Sequence, residues 1–213
     1  MNKLPLIVLA TAVAGAANAA ITLNVGTSIN GDNPGTGLTA LLESAGSNSV
    51  KLTMTNGLPA GSYVPFWLFN VDSSVGALTI SNVGGVAAQS ATRLNNGYVG
   101  GNQVKAGKFD LQFAYDANAG GSEGDQRFKS GMTSVYTISG TGLNLGSFRL
   151  LSADDLKANG GKNNVGNYYS AADVRFGNGK SGSVGATEAV PEPASMAALG
   201  LGALGLLKRR KKA

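Results

Sequence analysis

Ser62-Tyr63-Val64-Pro65-Phe66-Trp67-Leu68-Phe69-Asn70-Val71 is apolar on both sides of an extended backbone. Successive side chains of a strand point to opposite faces, so a run without alternation describes a central strand covered on both. Pro65 has no N–H to offer a ladder, so pairing begins after it or the strand lies at an edge. Around this run the chain alternates with period two. In Val50-Lys51-Leu52-Thr53-Met54-Thr55 the Val, Leu and Met share one face. Phe109, Leu111, Phe113 and Tyr115 alternate with Lys108, Asp110, Gln112 and Ala114, and Thr133–Ser139 mixes Val135, Tyr136 and Ile138 with hydroxyl residues. Ile21–Val25, Ala77–Val83, Ser147–Leu151 and Ala172–Phe176 are further expected strands.

Turn chemistry separates these runs at Asn30-Gly31, Asn56-Gly57, Asn96-Gly97, Gly120-Gly121, Gly160-Gly161 and Asn178-Gly179. Asn-Gly supplies the positive φ angles that tight hairpins need. The expected fold is all-β, an antiparallel β-sandwich of jelly-roll or Ig-like type. One or two short helices are expected, at Leu38–Ser44 and Ala153–Ala158. The second follows Ser152 as N-cap, with Asp154 and Asp155 in its first turn. No repeat of 20–50 residues is visible, which argues against a solenoid or propeller.

The charges lie where they exclude a nucleic-acid role. Of 17 Lys+Arg, Lys3 and the five of Lys208–Lys212 fall near the termini, leaving 11. Of 12 Asp+Glu, only Glu192 falls in the C-terminal tail, also leaving 11. The body is formally neutral and its cations are scattered, so it presents no footprint for phosphates. The chain has no Cys and hence no disulfide frame. It also has no His, which excludes Ser-His-Asp and Cys-His nucleophile systems and the commonest metal ligand.

Both ends carry addresses. Lys3, the apolar Leu4–Ala17 and the site Ala17-Asn18-Ala19 before Ala20 form the pattern of a secretory signal peptide. Its partners are the Sec translocon and signal peptidase. Near the other end stand Val190-Pro191-Glu192-Pro193, the apolar Ala194–Leu207 and the cluster Lys208-Arg209-Arg210-Lys211-Lys212. The prolines bias their neighbours toward an extended backbone that a protease can grip. As a helix, Ala194–Leu207 spans about 21 Å at ~1.5 Å per residue, short of a ~30 Å hydrocarbon core. Gly200, Gly202 and Gly205 weaken it further. A temporary anchor with its cations on the cytoplasmic side fits this layout.

These three elements in order resemble the PEP-CTERM sorting tail of Gram-negative bacteria. The resemblance covers 190–213 of 213 residues. It implies recognition and cleavage by exosortase, a transpeptidase-like membrane enzyme, transient inner-membrane anchoring, and then a place at the cell surface or in an exopolysaccharide, biofilm or floc matrix. Four pieces are expected: a signal peptide at 1–19, a secreted sandwich at 20–181, a flexible spacer at 182–189 and the sorting tail at 190–213. Within the tail the motif is 190–193, the membrane helix 194–207 and the basic cluster 208–212.

For the body three readings stand open: a structural or adhesive protein without catalysis, a carbohydrate-binding module, and a secreted hydrolase. Trp67, Tyr98, Tyr168 and Tyr169 are candidates for stacking on sugar rings, with Trp67 read first as core and Tyr168-Tyr169 as a rim. Asp116, Asn118, Glu123 and Asp125 share a Gly-rich loop and are candidate Ca²⁺ ligands, although Arg127 stands where an EF-hand loop needs Glu. No other cofactor is expected. Asp154-Asp155 are adjacent and so do not face one another as a catalytic pair would.

Overall fold

A computed structural model of the protein describes residues 20–33, 35–94, 106–115, 127–154 and 166–191. Among them thirteen strands form: β1 (Ala20–Val25), β2 (Thr27–Gly31), β3 (Leu38–Ser44), β4 (Ser49–Asn56), β5 (Tyr63–Phe69), β6 (Thr79–Gly85), β7 (Ser90–Arg93), β8 (Leu111–Ala114), β9 (Phe128–Lys129), β10 (Thr133–Ser139), β11 (Ser170–Arg175), β12 (Ser181–Ala186) and β13 (Ala189–Pro191). They make two antiparallel sheets. One runs β13-β1-β3-β4-β10-β6; the other runs β2-β12-β11-β5-β8-β7, with β9 also on β5.

The period-two pattern becomes burial. On β4, Val50, Leu52 and Met54 are buried while Lys51 is exposed. Their face meets the second sheet across one core that joins Leu23, Leu42, Leu52 and Tyr136 to Trp67, Phe69, Phe113, Phe128 and Val184. The aromatic rings pack closely: Tyr115 lies 4.9 Å from Phe128 and Phe113 lies 4.7 Å from Tyr136. Buried polar atoms find partners, as they must in a low-dielectric interior. Trp67 Nε1 donates to Ser170 Oγ at 2.9 Å, and that hydroxyl donates to Leu68 O at 2.7 Å.

The run from Ser62 to Val71 behaves as its composition demands. Trp67 and Phe69 enter the main core, whereas Leu68 packs outward in a small second cluster with Ala106, Phe109 and Ala171. Pro65 marks a break. β9 pairs Tyr63 and Val64, β8 pairs Phe66–Phe69, and the register with β11 shifts at the same place. Without an N–H to donate, Pro65 still accepts from Tyr115 N at 2.8 Å through its carbonyl.

Three expectations are corrected. Leu38–Ser44 is β3 and not a helix: Leu38, Ala40 and Leu42 alternate inward, and both its edges are taken by β1 and β4. Leu38, Leu41 and Leu42 also fit a helical stripe, and strand pairing on both sides decides between the two periods. Ser147–Leu151 is not a strand; its start lies in a 3₁₀ turn, Leu145–Phe148. The spacer expected at 182–189 is largely β12, with Gly182–Ala186 buried between β2 and β11. The domain thus runs on to Pro191. Ala153, placed at the start of the second helix, forms an antiparallel bridge with Lys108. No α-helix forms among the described residues, and no helix there is long and apolar enough to cross a membrane. The signal helix and the membrane helix of the tail lie outside the described residues.

Candidate functional site

The N-terminal and C-terminal segments meet along their whole described length. β1 passes into β2 at Gly26 and so moves from one sheet to the other; β12 passes into β13 across Thr187 and Glu188 in the same way. In the first sheet Ile21, Thr22 and Leu23 face Pro191, Val190 and Ala189. In the second, Thr27 and Ser28 face Gly185 and Val184. Each step forward from Ile21 to Ser28 matches one step back from Pro191 to Val184, so one register runs through the corner. Gly26 N donates to Gly185 O at 3.3 Å where the ribbon bends. A bulge between Ser183 and Val184 then shifts it by one residue.

The ends of this ribbon hold the described part of the expected processing sites. Ala20, the residue after the predicted signal cleavage, opens β1; Ala17 and Ala19 lie outside the described residues. Val190 and Pro191, the first half of the predicted sorting motif, close β13 beside Ile21 and Thr22. The two chain exits therefore stand side by side at one end of the first sheet. Val190 points outward and is 44% exposed, while Ala189 packs against the main core. Glu192, Pro193, the apolar stretch and Lys208-Arg209-Arg210-Lys211-Lys212 lie outside the described residues.

The ribbon is built for close approach rather than bulk. β12 reads Ser-Gly-Ser-Val-Gly-Ala. A Cβ on Gly182 would overlap the Asp32 carbonyl, and one on Gly185 would overlap the Tyr168 ring. The signal for this strand is present in the sequence as Asn178-Gly179. Gly179 has φ 80°, and Phe176 N bonds Lys180 O at 3.0 Å, closing the hairpin that pairs β11 with β12. A turn needs a strand on each side of it.

The expected sugar-stacking residues separate. Trp67 is fully buried. Tyr168 and Tyr169 are half-buried and diverge: Tyr168 joins the small outer cluster, and Tyr169 packs on the main core. They do not make one platform. Tyr98 and the Ca²⁺ candidates Asp116, Asn118, Glu123 and Asp125 lie outside the described residues. Among the described residues no group of three or more His, Cys, Asp or Glu is arranged to hold a metal. Asp154 accepts from Gly166 N at 2.6 Å; its neighbour Asp155 lies outside the described residues.

Two features went unread in the sequence. Asp173, on the outer side of β11, is 2% exposed. Burial pushes its carboxyl up to about 6 against the pull of Arg175, whose Nη2 lies 3.2 Å away. The other is a groove of about 250 Å³ lined by Ser62, Tyr63, Arg127, Lys129 and Ser130, in which the Arg127 guanidinium sits 4.6 Å over the Tyr63 ring. Pairing of β9 with β5 brings these residues together, and β9 is only two residues long.

A family model described as the PEP-CTERM protein-sorting motif matches residues 189–212. No curated protein and no solved structure matches the chain. The match begins at Ala189, the first residue of β13. Residues 189–212 thus carry a PEP-CTERM protein-sorting motif, which supports export and sorting by exosortase.

Proposed function

We propose that this protein is a structural or adhesive component of the cell surface or extracellular matrix, without catalysis and associated with exopolysaccharide. Ala194–Leu207 holds it briefly in the inner membrane, with Lys208–Lys212 on the cytoplasmic side, until exosortase acts. The observation that carries this reading is the sorting motif itself, whose first residues pair with β1 in the sandwich. A neutral, Cys-free body rich in Gly, Ser and Thr agrees with a matrix role.

The test is the intact mass of protein recovered from the native surface and medium, for wild type and for Pro191→Ala/Glu192→Ala/Pro193→Ala. A wild-type mass ending near Val190–Pro193, with the variant left full-length in the membrane, supports the reading. Wild type still carrying Lys208–Ala213 overturns it.

The groove at Tyr63 favours a second reading, a saccharide-binding module. A ring face beside guanidinium, ammonium and hydroxyl groups suits an acidic sugar, which offers both an apolar ring face and a carboxylate. Retention on acidic but not neutral polysaccharide, lost in Tyr63→Ala, would support it. Equal retention of wild type and variant overturns it.

A further inference from the structure

We propose that the β1–β13 pair is a gate on sorting: β13 must peel from β1 before exosortase can read the motif. The inference rests on the sorting reading above and adds its regulation.

The first observation is that the motif is part of the fold. Val190 and Pro191 belong to the edge strand of the first sheet, paired with Thr22 and Ile21. Processing enzymes of this kind take an extended segment into a cleft, where its backbone pairs with the enzyme. A docked β13 has one backbone edge turned to β1, so that edge is withheld.

The second is reach. With β13 docked, only Glu192 and Pro193 separate the sheet from the apolar stretch that begins at Ala194. Two extended residues span at most about 7 Å. That gap is too small to admit a cleft holding four extended residues, which takes about 13 Å. Peeling back to Thr187 adds five residues and about 17 Å, enough to present the motif clear of both sheet and bilayer.

The third is that the gate is weak by construction. β13 is three residues long and ends in a proline that donates no hydrogen bond. β12 is buried and paired on both sides. Release therefore stops at Thr187-Glu188, where the ribbon turns between sheets, and the sandwich stays closed behind it. Short terminal strands of this kind open locally without global unfolding.

The experiment uses the full chain in membranes that contain exosortase, with the appearance of the processed form followed over time. Thr22 and Val190 face each other on the outer side, so Thr22→Cys/Val190→Cys places a lock across the gate. The oxidised and reduced forms of that one variant are compared, so that the substitutions themselves cancel. The oxidised form is expected to be cut at least about tenfold more slowly than the reduced form. Ile21→Gly leaves the motif intact and removes the side chain beside Pro191; it is expected to be cut several-fold faster than wild type. Equal rates for the oxidised and reduced forms overturn the gate. Where Val190→Cys stops cutting in both forms, Ile21→Gly decides: faster cutting supports the gate, and an unchanged or slower rate overturns it. Wild type that is never cut marks the failure of the sorting reading instead.

Discussion

The aromatic centre and the terminal ribbon of this sandwich are held together in different ways. The centre is side-chain volume: Trp67, Phe69, Phe113, Tyr115, Phe128 and Tyr136 fill the space between sheets, with little backbone brought close. The ribbon is backbone: Gly182 and Gly185 allow strands and a ring to approach as no larger residue would, and the side chains that reach the main core from it are Ile21, Leu23, Val25, Val184, Ala186 and Ala189. Volume gives a centre that opens only with the whole domain. Backbone pairing at an edge gives an end that can open by itself. A chain that must stay folded while an enzyme handles its tail needs both kinds of region.

Four changes sharpen or break this contrast. Trp67→Ala should cost the most, about 4 kcal/mol, since it empties the centre and removes the indole donor to Ser170 Oγ. Denaturant unfolding would measure it, and a loss under 1 kcal/mol would mean that the centre is not volume-limited. Gly182→Val should cost about 2 kcal/mol through overlap with the Asp32 carbonyl. The same titration checks it, and no loss would mean that the ribbon is looser than its register implies.

The third change concerns charge beside the ribbon. Asp173 ionises at about 6 in the folded chain and at 3.8 when free, because burial disfavours the carboxylate. Between those values the folded chain keeps a proton that the unfolded chain has released. The stability this group contributes is thus full below about pH 4 and lost as pH rises through about 6. Asp173→Asn should flatten that slope and, at pH 7, raise stability by about 1 kcal/mol. Melting temperatures from pH 4 to 7 would show it, and an unchanged slope would remove Asp173 as its cause.

The smallest effect should come from Glu43 and Lys51, an exposed cross-strand pair with Nζ to Oε2 at 3.1 Å. Replacing both by Ala should change stability by no more than about 0.5 kcal/mol. A larger change in a salt-dependent melt would show that surface charge, and not packing, sets the β3–β4 register.

Strands whose side chains alternate were legible, because alternation is a local property. β1, β4 and β10 fall within a few residues of their expected places, and β5 was legible as a run apolar on both faces. β3 was read as a helix because Leu38, Leu41 and Leu42 satisfy either period, and only the strands on both sides choose one. β12 was read as a linker because Ser, Gly and Ala carry little strand preference. Its burial comes from β11, its hairpin partner, and from β2, which the sequence sets far from it. Tyr63 and Arg127 meet for the same reason, across a pairing of 64 residues' separation in the chain.

The sequence by itself determined the address: a signal pattern ahead of Ala20 and the sorting motif at 189–212, both linear segments legible residue by residue. It also determined the β character of the body, through local alternation and Asn-Gly turns. Only the tertiary structure decided that Ile21 lies against Pro191 and that the sorting motif begins inside the domain. That contact joins residues 170 apart. It is made by backbone groups every residue possesses, so no local pattern announces it.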